Sequence, residues 1–396
     1  MLDNREDNES QGGINAKVLE WAREQAAYLP SEVAHMLKIS ESIILAWEEG
    51  SKQPEINTLR DLSLIYDTPF SYFFLSRLPR VIPLQDYRGT PKEIRRKLSQ
   101  ETQRTLREFR RLHRFSRILW NLTKTESKQD LDFVSGREDI EEVASRERKR
   151  LGITADGKKE WVNKQYAWHK WRGAIGSLGI SVFSLRMPLL ECRGAAISEK
   201  PYSILVNRND SPAAKSFTLL HEYYHLLLRA GDSLFLCDSF PSSTESNPNQ
   251  FASLVLLSNQ EFLDGLKESN VQGYREFWSD SILVDLSKKF LVSRDVVAIR
   301  LEQLEYAPEG FYAARRLHWE SSYKDYRGFV LGGMTKRGHA REKVGDLTLS
   351  LTFRAVNLGF ISVVDAASYF GEVRGSRTGS AWSVTVSDIE KWMREA

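Results

Sequence analysis

The stretch Phe217-Thr218-Leu219-Leu220-His221-Glu222-Tyr223-Tyr224-His225-Leu226-Leu227-Leu228 decides how this sequence is read. Residues four apart share one face of an α-helix, so the imidazoles of His221 and His225 can reach a single ion. Glu222 projects beside them, placed to polarise a water on that ion and to shuttle its proton. Phe217, Leu219, Leu220, Leu226 and Leu227 predict that the helix is buried. The bland alternative is a buried helix whose two histidines simply find hydrogen-bond partners, and the five-residue motif alone leaves it open. Tyr223 and Tyr224 read as packing aromatics, since helical geometry cannot turn both toward one site.

A catalytic zinc ordinarily takes three protein ligands and keeps one position for water. The next histidine is His318, so the third ligand is expected to be a carboxylate; Asp232, Asp238, Glu245 and Glu261 are the candidates. Asp232 follows the first helix too closely, in a glycine turn. Glu245 is best placed, because it opens a second amphipathic helix with Asn249, Phe251, Ala252 and Val255. An acid there also suits the helix dipole, a role compatible with ligation. Two histidines and a carboxylate can hold manganese or iron as well as zinc.

Outward from this centre, Gly179–Ser184, Arg193–Ser198 and Tyr202–Asn207 are short β-type runs bounded by Gly, Pro and Asn. Lys215–Leu228 and Glu245–Leu257 read as the two amphipathic helices. The run from Ile282 to Leu304 is a helix, a turn at Ser293 and a second helix so apolar that it must pack on the core. Beyond about residue 320 a glycine break, Gly332-Gly333, precedes two further helical segments. The last sixty residues show no identifiable chemistry, and Ala366–Gly371 fits a packing element.

Toward the other end, Ile14–Leu78 forms short helical segments broken by turn signals. Val18, Trp21 and Ala22 share one face, Pro30 opens a second helix, Ser40 sits where an N-cap belongs, and a further helix runs Thr58–Tyr66. Pro79, Pro83 and Pro91 mark an extended linker. The basic helix that follows, Lys92–Trp120, belongs to a stretch with eleven bases against three acids between Arg88 and Arg117. It reads as a solvated face or as a cover for the acidic 138–147 segment, with phosphate contact as the other use.

The 396 residues imply two or three domains. With 41% hydrophobic and 28% charged residues, the composition is that of a globular protein. No apolar run approaches the roughly 18 residues of a membrane span. Residues 1–13 are polar and acidic, unlike a secretory signal, and two cysteines make no disulfide framework, so a cytoplasmic location is expected.

The segments Arg193-Gly194, Ile204–Asn207, Phe217–His225 and Glu245-Ser-Asn-Pro-Asn249-Gln-Phe251-Ala252 together resemble the ImmA/IrrE metallopeptidase family. Pro248 and the absence of a proline after Leu257 depart from that family's pattern; Pro248 falls in a first helical turn, where proline is tolerated. The resemblance implies zinc (Zn2+) on His221, His225 and Glu245, with Glu222 as general base. Leu37-Lys38-Ile39-Ser40, Trp47-Glu48-x-Gly50, Pro54 and Tyr66-x-x-Pro69-x-x-x-Phe73 resemble the Xre-type helix-turn-helix family.

Together these imply a multidomain chain: an all-α helix-turn-helix domain, an α+β zincin-like metallopeptidase domain and a mostly helical C-terminal region. The expected segments are a disordered lead-in at 1–13, helix-turn-helix at 14–78, linker and charged helices at 79–165, peptidase at 166–310 and accessory region at 311–396. The implied function is a zinc endopeptidase acting on a repressor- or antitoxin-type regulator. The alternative is a transcription regulator or antitoxin whose zincin domain chiefly binds a partner. Expected partners are that protein substrate, double-stranded DNA or a second copy of the chain through the first module, and no membrane. Lys38, Ser40, Glu41, Ser42 and Lys52 are the candidate DNA contacts. The module carries only six bases against nine acids over 15–78, a poor balance for neutralising phosphates.

Overall fold

Short apolar periods broken by Gly, Pro and Ser dictate short helices at the start of the chain, and the computed structural model shows them. It describes residues 13–26, 28–66, 68, 70–78, 98–124, 131–189, 191–228, 234–237, 246–323, 334–370, 372–374 and 381–395. The lead-in (Gly13 apart), the linker prolines, Gly332-Gly333 and Glu245 lie outside these residues. Two compact units result, one spanning 1–85 and 96–111, the other 86–95 and 112–396.

In the first unit, α1 (Ala16–Gln25) is capped by Asn15, whose side chain accepts from the Lys17 amide. Pro30 occupies the first turn of α2 (Pro30–Leu37), where its missing N–H is harmless. Lys38 takes a left-handed conformation (φ 57°), and a three-residue turn leads to α3 (Glu41–Glu48). Ser40 is the N-cap of α3, but its hydroxyl bonds the Ser42 hydroxyl at 2.9 Å instead of the backbone. Helix α4 (Ile56–Ile65) and a 3-10 turn at Phe70–Phe74 close the unit. Val18, Leu19, Val33, Ile44, Leu59 and Phe73 form its core; each such side chain contributes roughly 1.5–3 kcal/mol.

Helix α5 (Gln100–Thr123) is the basic helix of the sequence reading. Arg104 pairs with Glu32 and lies 4.4 Å over the Tyr28 ring, while Arg107 donates to the Gln25 carbonyl. Further along, Arg111 grips Glu108 at 2.7 Å and Arg117 pairs with Glu199. The reading that the basic helix covers the acidic 138–147 segment stays an expectation. Within that segment Glu138 and Glu147 pair with Arg146, each at 3.2 Å.

The second unit holds α6 (Ile140–Arg150), α7 (Ala155–Lys159) and α8 (Lys164–Ser177), then three strands: β1 (Ser181–Leu185), β2 (Gly194–Ile197) and β3 (Ser203–Asn207). With β4 (Leu234–Cys237) they form a sheet in the order β1-β3-β2-β4. Strands β1 and β3 are parallel, and β2 runs antiparallel to both of its neighbours. The first three strands are buried along their whole length, so both faces are covered, which explains continuous apolar runs in place of alternation. Helix α9 (Pro212–Leu227) lies against β2 and β3. It is buried nearly all round, not on one stripe as its expected amphipathic character implied.

Helices α10 (Ser246–Leu256), α11 (Asn259–Glu268), α12 (Asp280–Lys289), α13 (Arg294–Gln303) and α14 (Phe311–Tyr323) follow. The buried face of α13, including Val296, Val297 and Leu301, packs into the main core, as its apolar sequence demanded. The C-terminal part contains α15 (Lys336–Asn357), α16 (Val363–Phe370), a hairpin of β5 (Glu372–Arg374) and β6 (Ala381–Ser383), and α17 (Val386–Arg394). Helix α15 packs against β1 and bends at Gly345 (φ 78°). A Cβ there would stand 2.9 Å from the Val182 carbonyl, so only glycine admits this approach.

Candidate metal centre

The polar trio of the opening motif is carried by α9, whose mostly apolar flanks bury the helix while His225 stays half-buried. His221 is 7% exposed and Glu222 is fully buried. The Nε2 atoms of His221 and His225 lie 3.3 Å apart. From α10, Asn249 Oδ1 accepts a hydrogen bond from His221 Nδ1 at 2.9 Å. That bond places the His221 proton on Nδ1 and leaves the lone pair on Nε2, facing His225. Two imidazole nitrogens converging this way fit a shared cation.

Strand β2 closes the other side. An added Cβ at Gly194 would lie 2.6 Å from Glu222 Oε1 and 2.5 Å from Thr218 Cγ2, so the strand backbone rests directly on the acid's carboxylate. Asn207, at the end of β3, holds the approach to β2: its Nδ2 donates to the carbonyls of Met187 and Cys192, both at 2.9 Å. Its amide donates to the Arg193 carbonyl at 2.8 Å. Residues 175–302 match the family model described as the IrrE N-terminal-like domain. No curated protein matches the chain.

The match supports peptidase chemistry for this IrrE-like segment, and it covers under a third of the 396 residues. Among the described residues no three His, Cys, Asp or Glu side chains come together around one ion position. A cation held by the pair His221–His225 would need a further ligand from outside these residues. Of the four acids weighed from sequence, Glu245, Asp232 and Asp238 lie outside the described residues. Glu261 is ruled out by its surroundings. Arg148 Nη2 donates to it at 2.6 Å and Lys158 lies 3.3 Å away. Burial alone would raise its pKa, but Lys158 and Arg148 outweigh burial and hold the carboxyl down at about 2. Helix α10 begins at Ser246, immediately after Glu245, and Pro248 sits in its first turn.

Tyr223 donates to Glu147 Oε2 at 2.7 Å, and the Tyr224 ring lies 4.8 Å from that of Phe251. Both tyrosines are packing residues. The IrrE-like segment opens at Gly194, His221, Glu222 and Asn249 onto a narrow cleft of about 60 Å³. Tyr312 and Arg316 of α14 also line this cleft, from beyond the matched residues, and sequence spacing gave no sign of them. Arg316 Nη1 donates to the Tyr312 hydroxyl at 3.0 Å. Burial and the nearby Asp295 push the Tyr312 phenol up to about 12, so it stays protonated at neutral pH.

A second group missed by sequence lies under the first turns of α9. Lys215 is fully buried and its Nζ donates to Glu342 Oε1 of α15 at 3.0 Å. Arg172 of α8 stands 3.5 Å from the other carboxylate oxygen and donates to the Glu342 carbonyl at 2.9 Å. Burial opposes the charge, yet Lys215 and Arg172 hold the Glu342 carboxyl at about 2. The C-terminal part is thus built into the IrrE-like segment's support, whereas the sequence suggested an accessory region without chemistry. In the first unit Lys38, Ser40, Glu41 and Ser42 at the α2–α3 turn are exposed, as is Lys52 beyond α3.

Proposed function

We propose that this chain is a zinc-dependent endopeptidase acting on a protein regulator of repressor or antitoxin type, with the first unit as its regulatory half. His221, His225 and Glu245 would hold the metal, and Glu222 is the general base. The observation that carries the reading is the 3.3 Å convergence of the two histidine Nε2 atoms beside a fully buried Glu222. A structural histidine pair has no need of a buried carboxylate next to it.

When bound, zinc supplies Lewis-acid polarisation of a peptide carbonyl and of the attacking water. The Glu222 carboxylate takes the proton of that water and returns it to the departing amide nitrogen, so peptide and water become acid and amine. Asn249 fixes the His221 tautomer, and the backbone of Gly194 keeps Glu222 from swinging away. The exposed residues around the α2–α3 turn are the surface offered to duplex DNA.

The test is metal content of the purified chain beside His221→Ala and Glu245→Ala, followed by cleavage by Glu222→Gln. The expected result is about one zinc per chain, lost in both alanine variants. In Glu222→Gln the zinc is kept and cleavage is lost. A wild type that binds no zinc when supplied with it, or a Glu222→Gln chain with unchanged biological activity, sinks the peptidase reading. The second of these results moves the function to partner binding.

A further inference from the structure

The cleft over His221 does not end at the motif. Across Ala214, Ser293 and Asp295 it adjoins a wider groove of about 920 Å³. Three cations line that groove: Lys164, Lys288 and Arg294. Lys164 donates to the Ser287 hydroxyl at 3.1 Å and is half-buried. Its ammonium is held below the ordinary value by burial and then by Arg294 and Lys288, with no carboxylate offsetting them. Lys288 is exposed and has only a solvated pair with Asp285 at 3.5 Å. Arg294 lies 4.7 Å over the Trp319 ring, which holds the guanidinium in place without neutralising it. The two acids that also line the groove lie toward the catalytic end. Asp210 is buried and paired with Arg193 at 3.2 Å, and Asp295 stands at the junction itself.

We propose that this groove holds the stretch of substrate chain beside the scissile bond and selects acidic side chains there, with Lys164, Lys288 and Arg294 as the recognising cations. A half-buried cation beside two others is an electrostatically costly arrangement, and a carboxylate-bearing ligand relieves it. A polypeptide suits the groove better than nucleic acid. It can present acids to the three cations and a neutral residue to Asp295, whereas a phosphate backbone carries charge at every step. The proposal rests on the peptidase reading, because the groove matters as the continuation of that cleft.

The experiment is fluorescence anisotropy on the full chain carrying Glu222→Gln, so that no probe is consumed. The probes are a labelled short peptide of alternating alanine and glutamate and its alanine–glutamine counterpart. The glutamate peptide should bind about tenfold tighter at low salt, with the advantage shrinking as salt rises. Adding Lys164→Gln and Lys288→Gln should remove the preference, and Lys164→Arg with Lys288→Arg should keep it. Equal binding of the two peptides, or a preference that survives the glutamine pair, overturns the proposal. So does a duplex oligonucleotide that displaces the peptide from the parent chain and loses its hold with the glutamine pair. Binding needs neither metal nor turnover. An acidic preference in a chain that cleaves nothing leaves the groove standing and removes the peptidase reading, while cleavage indifferent to acidic residues does the reverse.

Discussion

Gly194 shows how little room the candidate centre leaves. A methyl group there meets Glu222 Oε1 at 2.6 Å and Thr218 Cγ2 at 2.5 Å, and neither strand nor helix can retreat through the packed core around them. Gly194→Ala is expected to cost roughly 1–3 kcal/mol of stability. A base moved by about 1 Å loses on the order of a hundredfold in cleavage rate. Retained zinc with lost cleavage in that variant separates a displaced Glu222 from a broken metal site; unchanged cleavage would mean the carboxylate is not the base. Asn249→Ala acts on the other partner. It frees the His221 ring to turn, and zinc affinity should fall roughly 10- to 100-fold, read by competition with a chelator. His221, Glu222 and His225 were legible in the sequence because their relation is local, one helical turn. The contribution of Asn249 was legible only as part of a resemblance, since its partner lies 28 residues away on another helix.

At the scale of elements, α9 is held by α15 through one carboxylate. Glu342 titrates at about 2 in the folded chain against an ordinary 4.5. A lowered acid pKa gives stability that is fully present above about 4.5 and lost as pH falls toward 2. The amount is on the order of 3 kcal/mol. Glu342→Gln should remove that acid-sensitive part of the unfolding curve. It also leaves Lys215 and Arg172 buried without their counter-charge and lowers stability at neutral pH by about 3–5 kcal/mol. Chemical denaturation at a series of pH values checks both; equal stability of the two chains at pH 7 would show that the pair contributes nothing. No sequence period announces this link, since its two residues are separated by 127 positions. The strands β1 to β3 were readable from their apolar runs. The hairpin strands β5 and β6, with 3 residues each, are too short to display any period.

Among the described residues the core of the first unit, around Val18, Ile44 and Leu59, shares no member with the main core of the second, around Trp168, Tyr223 and Val296. Each unit should therefore unfold in its own calorimetric transition. Arg104→Ala, which removes the Glu32 pair and the Tyr28 contact, should move only one transition, and Glu342→Gln only the other. A single transition shifted by both variants would mean one cooperative body. The order of synthesis gives the Glu342 link a further meaning. A ribosome delivers Arg172 and Lys215 long before residue 342, so the helix of the histidines is made with its buried cations still uncompensated. A product terminated prematurely after residue 302 would carry every motif of the IrrE-like match and lack the charge that settles it. A chain that stops there is expected to keep Lys215 and Arg172 buried without their counter-charge, and so to hold α9 less firmly than the full chain does.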